Sequence, residues 1–293
     1  MQTTRTTALL GTLVGAVGLT ALSACAPVDE TSESGSDGSS DAQATCEPGA
    51  LPTLTDGTLT IATDTPAYPP YFEDDDPTNG RGFESAVAYA VAEQLGYGEE
   101  DVTWVEVPFD NSYAPGPKRF DFDINQISIT PERERAVDFS EGYYTATQAV
   151  VVLEDGAPEI GSLEDLTDLE LGAQSGTTSL TAVREEIQPD TDPLVFRNTN
   201  AATQALQNGQ VEAIVADLPT ALFITAAQLD GGTVAGQFAY SGEDTEEFGL
   251  LLEKDSPLTG CVDEAVSTLR EDGTLEDLEQ EWLSESVDVP VLQ

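Results

Sequence analysis

From Leu59 onward the chain alternates strand-like and helix-like patterns, and this alternation constrains the fold more than any other feature. Residues 59–62 read as a buried strand, and residues 84–95 as a helix with Phe83, Val87, Val91 and Leu95 four apart on one face. Strand patterns follow at 102–107 and 148–153. Ser162 opens a helix start with an acid three places on. Then come a strand at 169–173, a helix at 178–187, a strand at 194–196, a helix at 201–208 and a strand at 211–216. Pro219 opens another helix, where a first-turn proline is tolerated. A last strand at 248–252 precedes helices at 258–270 and 275–283. Repeated strand–helix alternation predicts an α/β fold with mixed, mostly parallel sheets. In such sheets a ligand site lies beyond the carboxyl ends of the strands.

The two ends of the chain predict something other than this fold. Residues 1–24 combine Arg5, an apolar run and the small residues Leu22-Ser23-Ala24 before Cys25, which is the layout of a secretory leader. Small residues before a cysteine resemble a bacterial lipoprotein processing site. The expectation is cleavage before Cys25, lipidation of its sulfur and anchoring at the outer face of the cell membrane. The retained-helix alternative is weaker, because a spanning helix needs about 20 apolar residues. Residues 25–53 are expected to form an acidic Ser/Gly tether, and about 20 flexible residues reach on the order of 25 Å. Removing the leader leaves Cys46 and Cys261 as an even pair in an oxidising compartment, and a bridge between them is expected.

The formal net charge of -45 argues against nucleic acid, because phosphates are bound by basic surface. The chain has no histidine, so Ser-His-Asp and Cys-His catalysis and His-ligated zinc are closed to it. The acidic run Glu73-Asp74-Asp75-Asp76 fails as a calcium loop. With Gly80 as the loop glycine, Pro77 and Ala86 fall where oxygen ligands are required. No metal and no cofactor is expected.

Four polar features fall at strand ends. Asn125, Gln126, Ser128 and Thr130 form a polar shelf leading to Arg133, and a guanidinium fork can give two parallel hydrogen bonds to a carboxylate. Gly176, Thr177 and Thr178 lie between a strand and a helix, where converging N–H groups bind anions. Asp217 ends a strand and can accept an ammonium. Asp64 sits among Tyr68, Tyr71 and Phe109 after the first strand. Each feature has a plainer reading: a helix cap at Thr177 or Asp217, a surface ion pair at Arg133, core packing for the aromatics. Together a carboxylate clamp, an anion-binding turn and an ammonium-binding acid describe a zwitterion, which is an α-amino acid.

From about Gly57 to Leu283 the chain resembles the polar amino-acid branch of the bacterial extracellular solute-binding proteins that serve ABC importers. The matching pieces are Ile61-Ala62-Thr63-Asp64, Gly82-Phe83-Glu84, residues 123–133, Phe139-Ser140 with Tyr143-Tyr144, residues 172–178 and 211–217, and Asp272-Gly273-Thr274-Leu275. The resemblance implies a type II periplasmic-binding-protein fold with two lobes. Residues 54–145 plus 249–293 would form the first and 146–248 the second, with crossings near 144–147 and 247–250.

The resemblance also implies roles. Arg133 would grip the α-carboxylate, aided by Ser128 and the backbone around Thr178, and Asp217 would hold the α-ammonium. Tyr68 and Phe109 would sandwich the side chain, with Asp64 and Asn125 reading its polar end. An extra residue in Thr65-Pro66-Ala67-Tyr68 leaves open whether Tyr68 or Tyr71 is the stacking wall. Ala86 stands where the family carries a second acid, and Gln126 where small residues are frequent. The implied partners are a polar or basic L-amino acid and an ABC permease with its ATPase, the chain being a monomer on a lipid anchor. The competing reading is a cyclohexadienyl or arogenate dehydratase-like enzyme on the same fold, with Glu84, Asp64 or Glu73 as general acid.

Overall fold

The structure, a computed structural model, describes residues 46–47, 51–155, 158–240, 246–283 and 289–293. The leader, Cys25 and the tether up to residue 45 lie outside the described residues. Among the described residues no helix is long and apolar enough to cross a membrane.

The first half of the fold runs β1 (Leu59–Thr63), α1 (Phe83–Gln94), β2 (Val102–Glu106), α2 (Phe109–Ser112), β3 (Phe122–Asp123) and β4 (Val137–Thr145). The chain then crosses into β5 (Gln148–Leu153), β6 (Leu171–Gln174), α3 (Thr178–Ala182), β7 (Leu194–Phe196), α4 (Thr199–Gln207), β8 (Ala213–Asp217), α5 (Leu218–Phe223) and β9 (Gly232–Phe238). It returns through β10 (Glu247–Glu253), α6 (Thr259–Glu271) and α7 (Thr274–Leu283). These strands form two five-stranded sheets, ordered β2-β1-β3-β10-β4 and β7-β6-β8-β5-β9.

Both sheets are mixed. In the first, β1 runs parallel to β2 and β3, while β10 runs antiparallel to β3 and β4. In the second, β6 runs parallel to β7 and β8, while β5 runs antiparallel to β8 and β9. The antiparallel share is carried by the strands that cross between the sheets and their partners. β1 is buried along its whole length, as a strand covered on both faces must be.

The helix after Gly82 is fixed by that glycine. Its φ is +96°, and a Cβ there would meet the Tyr71 carbonyl oxygen at 2.5 Å, so a side chain is excluded by backbone. Phe83, Val87 and Val91 then point into the core shared with α6 and α7. The other face of the first sheet packs Ala62, Phe109, Ile127 and Leu251 together. The second sheet carries apolar layers on both faces, led by Val150, Val215 and Leu180 on one and by Val151, Ile214 and Leu206 on the other.

Three boundaries differ from expectation. Leu51 is buried in the first core and Cys46 is bonded to Cys261 (Cα–Cα 5.3 Å), so the expected free tether does not extend to residue 53. Glu247 and Phe248 belong to β10 of the first sheet, paired with Thr145 and Tyr144, not to the second lobe. The segment 289–293 leaves the first lobe. Leu292 N donates to Gln237 O (2.8 Å), and its side chain is buried in the core of the second sheet.

Candidate functional site

A cavity of about 480 Å³ opens between the two sheets, within the size range of small-molecule sites. The strands place its walls. Asp64 directly follows β1, Asn125 and Gln126 follow β3, Gln174 ends β6 and Asp217 ends β8, so the polar groups gather at the carboxyl ends of parallel strands. Asp64, Tyr68, Phe109, Asn125, Gln126 and Ser128 line it from the first sheet, and Thr177, Thr178 and Asp217 from the second.

Several of these groups are held in defined states. The Asp64 carboxylate accepts from the backbone N–H of Thr65 (2.7 Å) and of Phe109 (3.2 Å). Burial nevertheless raises its pKa, with the nearby Asp110 and Glu106 adding to the rise. The Tyr68 hydroxyl is pushed up to about 12 by burial and by Asp64. Both the Tyr68 hydroxyl and the Asn125 Nδ2 are buried without a hydrogen-bond partner. Such groups are paired in folded proteins, by protein, water or ligand. Both residues line the cavity.

Gln126 is set by a residue behind the wall. Its backbone has φ +47°, and its N–H donates to Glu84 Oε1 (2.7 Å) while Nε2 donates to Glu84 Oε2. Glu84 also accepts from the Tyr143 hydroxyl and is fully buried. Burial pushes its carboxyl up to about 7, against the pull of those hydrogen bonds.

The second lobe resolves the plainer readings. Thr177 does cap α3: its hydroxyl accepts from Leu180 N (3.2 Å) and donates to Gln174 O (2.9 Å). Asp217 does not cap α5, since its side chain makes no cap hydrogen bond. Its carboxylate instead accepts from Gln148 Nε2 (2.8 Å) on β5. Burial first, then the neighbouring Glu246, raises its pKa.

Three expected site residues do not line this cavity. Tyr71 is 1% exposed within the first core, which leaves Tyr68 as the aromatic wall beside Phe109. Arg133 and Gly176 line an adjoining cavity that shares Thr177 and Thr178 with the first. The reason is visible in the fork: Arg133 Nη1 donates to Ser128 O (2.6 Å) and Nη2 to Gly176 O (2.9 Å), one carbonyl from each lobe. The guanidinium lies 4.8 Å from the Tyr113 ring centre and 5.6 Å from that of Phe109. Arg133 therefore joins the two lobes directly. Ser128 and Thr178 hydroxyls, 3.2 Å apart, make a second such contact.

The sequence reading passed over Gln148 and Glu246, which bracket Asp217, and Arg197, Thr199 and Thr220, which line the cavity. Arg197 carried a usable signal, because it is a cation at a strand end in an acidic chain, as Arg133 is near one. Glu246 carried none. It sits in the run Glu243-Asp244-Thr245-Glu246-Glu247, indistinguishable from solvated acids.

Comparison with known proteins bears on the family and the fold. The family model for bacterial extracellular solute-binding proteins, family 3, matches residues 59–285. The L-cystine-binding protein TcyJ of Escherichia coli K12 is 28% identical over 79% of this chain and 84% of its own. The L-arginine-binding protein of Pseudomonas aeruginosa is 28% identical over 74% of this chain and 85% of its own. Among solved structures, an ancestral arginine-binding protein bound to arginine superposes with a TM-score of 0.64 at 32% identity, covering 77% of this chain and 98% of that one. An ancestral amino-acid-binding protein described as a precursor of cyclohexadienyl dehydratase gives a TM-score of 0.63 at 33% identity, covering 77% and 95%. The two mixed sheets with flanking helices are the type II periplasmic-binding-protein arrangement. This chain belongs to family 3 of the bacterial extracellular solute-binding proteins.

Proposed function

We propose that this chain is a lipid-anchored, monomeric receptor that captures a polar or basic L-amino acid and hands it to the permease and ATPase of an ABC importer. The observation that carries the reading is the content of one cavity. An acid at the end of β8 stands with the Ser128 and Thr178 hydroxyls, while Asp64, Tyr68, Phe109 and Asn125 supply a polar, aromatic-walled pocket. The α-ammonium docks on Asp217. The α-carboxylate meets Ser128, Thr178 and Arg133, whose fork exchanges carbonyl partners for a carboxylate. The side chain lies between Tyr68 and Phe109 and ends at Asp64 and Asn125. The relatives' ligands, L-cystine and L-arginine, are polar at the far end, in keeping with this pocket.

Capture works by closure about the two crossings, 146–147 and the return before β10. A ligand touching both lobes favours the closed state by its contacts there. No bond is made or broken. A dehydratase needs a carboxylic acid facing the ligand. Of the three candidates, only Asp64 lines the cavity, and both of its carboxyl oxygens are engaged as acceptors of backbone N–H groups. Equilibrium dialysis of labelled L-amino acids against the full chain tests the proposal. Retention of one or a few polar L-amino acids, with their D-enantiomers excluded, is expected. Turnover of prephenate or arogenate without stable retention of any amino acid would overturn it.

A further inference from the structure

Two carboxylates meet beside the ligand cavity on a single amide nitrogen. Gln148 Nε2 donates to Asp217 Oδ1 (2.8 Å) and to Glu246 Oε2 (2.9 Å), which uses both of its hydrogens. The other Glu246 oxygen accepts from Ser128 Oγ (2.7 Å). Glu246 is 6% exposed, and its backbone carbonyl accepts from Ala146 N (2.9 Å), so it sits where both crossings meet. Among the described residues neither carboxylate has a salt-bridge partner. Close, desolvated like charges do not both ionise readily.

We propose that Glu246 is a positioning residue that makes ligand capture release a proton. Held against Asp217 by Gln148, it keeps Asp217 protonated in the empty site, and the arriving α-ammonium displaces that proton to solvent. The inference rests on the amino-acid reading of the cavity. It extends that reading by assigning a role to a residue that does not line the cavity.

The other groups around Asp217 do not cancel the effect. Arg133 favours the ionised form, but by less than Glu246 opposes it. Glu84 on α1 opposes it too, the Tyr71 and Tyr144 hydroxyls interact with it, and Asp64 and Arg197 line the same cavity. Gln148 favours the ionised form through its hydrogen bond. The net result is a carboxyl pushed up to about 8. The sign follows from linkage. An ammonium favours ionised Asp217, so binding below that pKa expels a proton and affinity weakens as pH falls, by at most about tenfold per pH unit.

The test is calorimetric titration of the full chain with L-arginine, L-glutamine and L-cystine at pH about 7, in buffers of different ionisation enthalpy. Wild type should release a substantial fraction of one proton per ligand. Glu246→Gln should release much less and show a flattened affinity–pH profile. Equal proton release in both would overturn the proposal. A purely structural role for Glu246 would weaken binding at every pH and leave the profile's shape intact, which also counts against it. If no amino acid binds, the receptor reading fails separately. The proton is then followed in the empty protein, by carboxyl carbon-13 NMR of Asp217 assigned with Asp217→Asn. A midpoint lowered by Glu246→Gln supports the inference, and an unmoved midpoint overturns it. Should Glu246→Gln not fold, Glu246→Ser is read in the same way: a lowered midpoint supports the inference, and an unmoved one overturns it.

Discussion

Gly176→Ala should oppose closure of the two lobes while leaving each lobe folded. Gly176 has φ +74°, and an L-residue there costs roughly 1–2 kcal/mol in any conformation of the molecule. The second effect depends on closure. A Cβ would lie 2.2 Å from Tyr113 Oη and 2.4 Å from Asp110 Oδ1, both carried by the opposite lobe. Relief requires Tyr113 to tilt, which breaks its hydrogen bond to Asp110 (2.9 Å) and disturbs its stacking on Arg133. Those interactions are worth about 0.5–1.5 and 0.5–2 kcal/mol, so closure weakens by roughly 1–3 kcal/mol. Affinity should then fall about 5- to 150-fold. The ligand-free melting temperature should drop only by the backbone share, about 2–8 °C.

The assay is calorimetric affinity together with the radius of gyration in solution. The background Asp110→Ala, Tyr113→Phe removes both close atoms, and adding Gly176→Ala to it should cost little further affinity. A loss of the same size in that background, or no loss with Gly176→Ala alone, would refute the reasoning.

Asp217→Ala should weaken amino-acid binding by about 3–5 kcal/mol, because it leaves the ammonium desolvated without its acid; equilibrium dialysis reads this directly. Asp64→Asn should cost L-arginine roughly 1 kcal/mol more than L-glutamine, since a charge-assisted bond becomes a neutral one. Parallel titrations with the two ligands measure that difference. Cys46→Ser frees the N-terminal segment from α6 and should lower stability by about 2–4 kcal/mol, seen as a fall in urea midpoint. Glu84 has a folded pKa of about 7, above its ordinary value of 4.5, so the folded state binds the extra proton between those values. Its contribution to stability therefore declines as pH rises through that window, and the urea midpoint of Glu84→Gln should fall less steeply across it than that of wild type.

The alternation of patterns made most elements legible because buried parallel strands and amphipathic helices carry strong periodicity. β1, β5 and β8 are buried along almost their whole length and are rich in apolar residues. β9 (Gly232–Phe238) carries little signal because Gly-Thr-Val-Ala-Gly-Gln-Phe is the edge strand of its sheet, partly exposed along most of its length, and needs little apolar content. β4 was masked by its charged and glycine positions, since Glu141 faces outward and Gly142 lies against Glu247.

At the site, single residues at strand ends were readable as chemistry. What they touch was not. Arg133 reads as a carboxylate clamp from its type and setting, yet its fork lies on the carbonyls of Ser128 and Gly176 because both lobes converge there. Tyr68 and Tyr71 are alike in sequence, and only the packing of Tyr71 beneath α1 separates wall from core. Gln148 and Glu246 are 98 residues apart, and no local pattern joins them.

The most direct test of the central claim is the thermal melt of the full chain with millimolar L-amino acids, run beside Arg133→Ala. Ligand at 100 times its dissociation constant stabilises a protein by about 2.7 kcal/mol. In a domain of this size that is a rise of roughly 5–11 °C. The account predicts such a rise for one or a few polar or basic L-amino acids, and none for the same ligands with Arg133→Ala. A cooperative melt that no amino acid moves, or an equal rise in the variant, would contradict it.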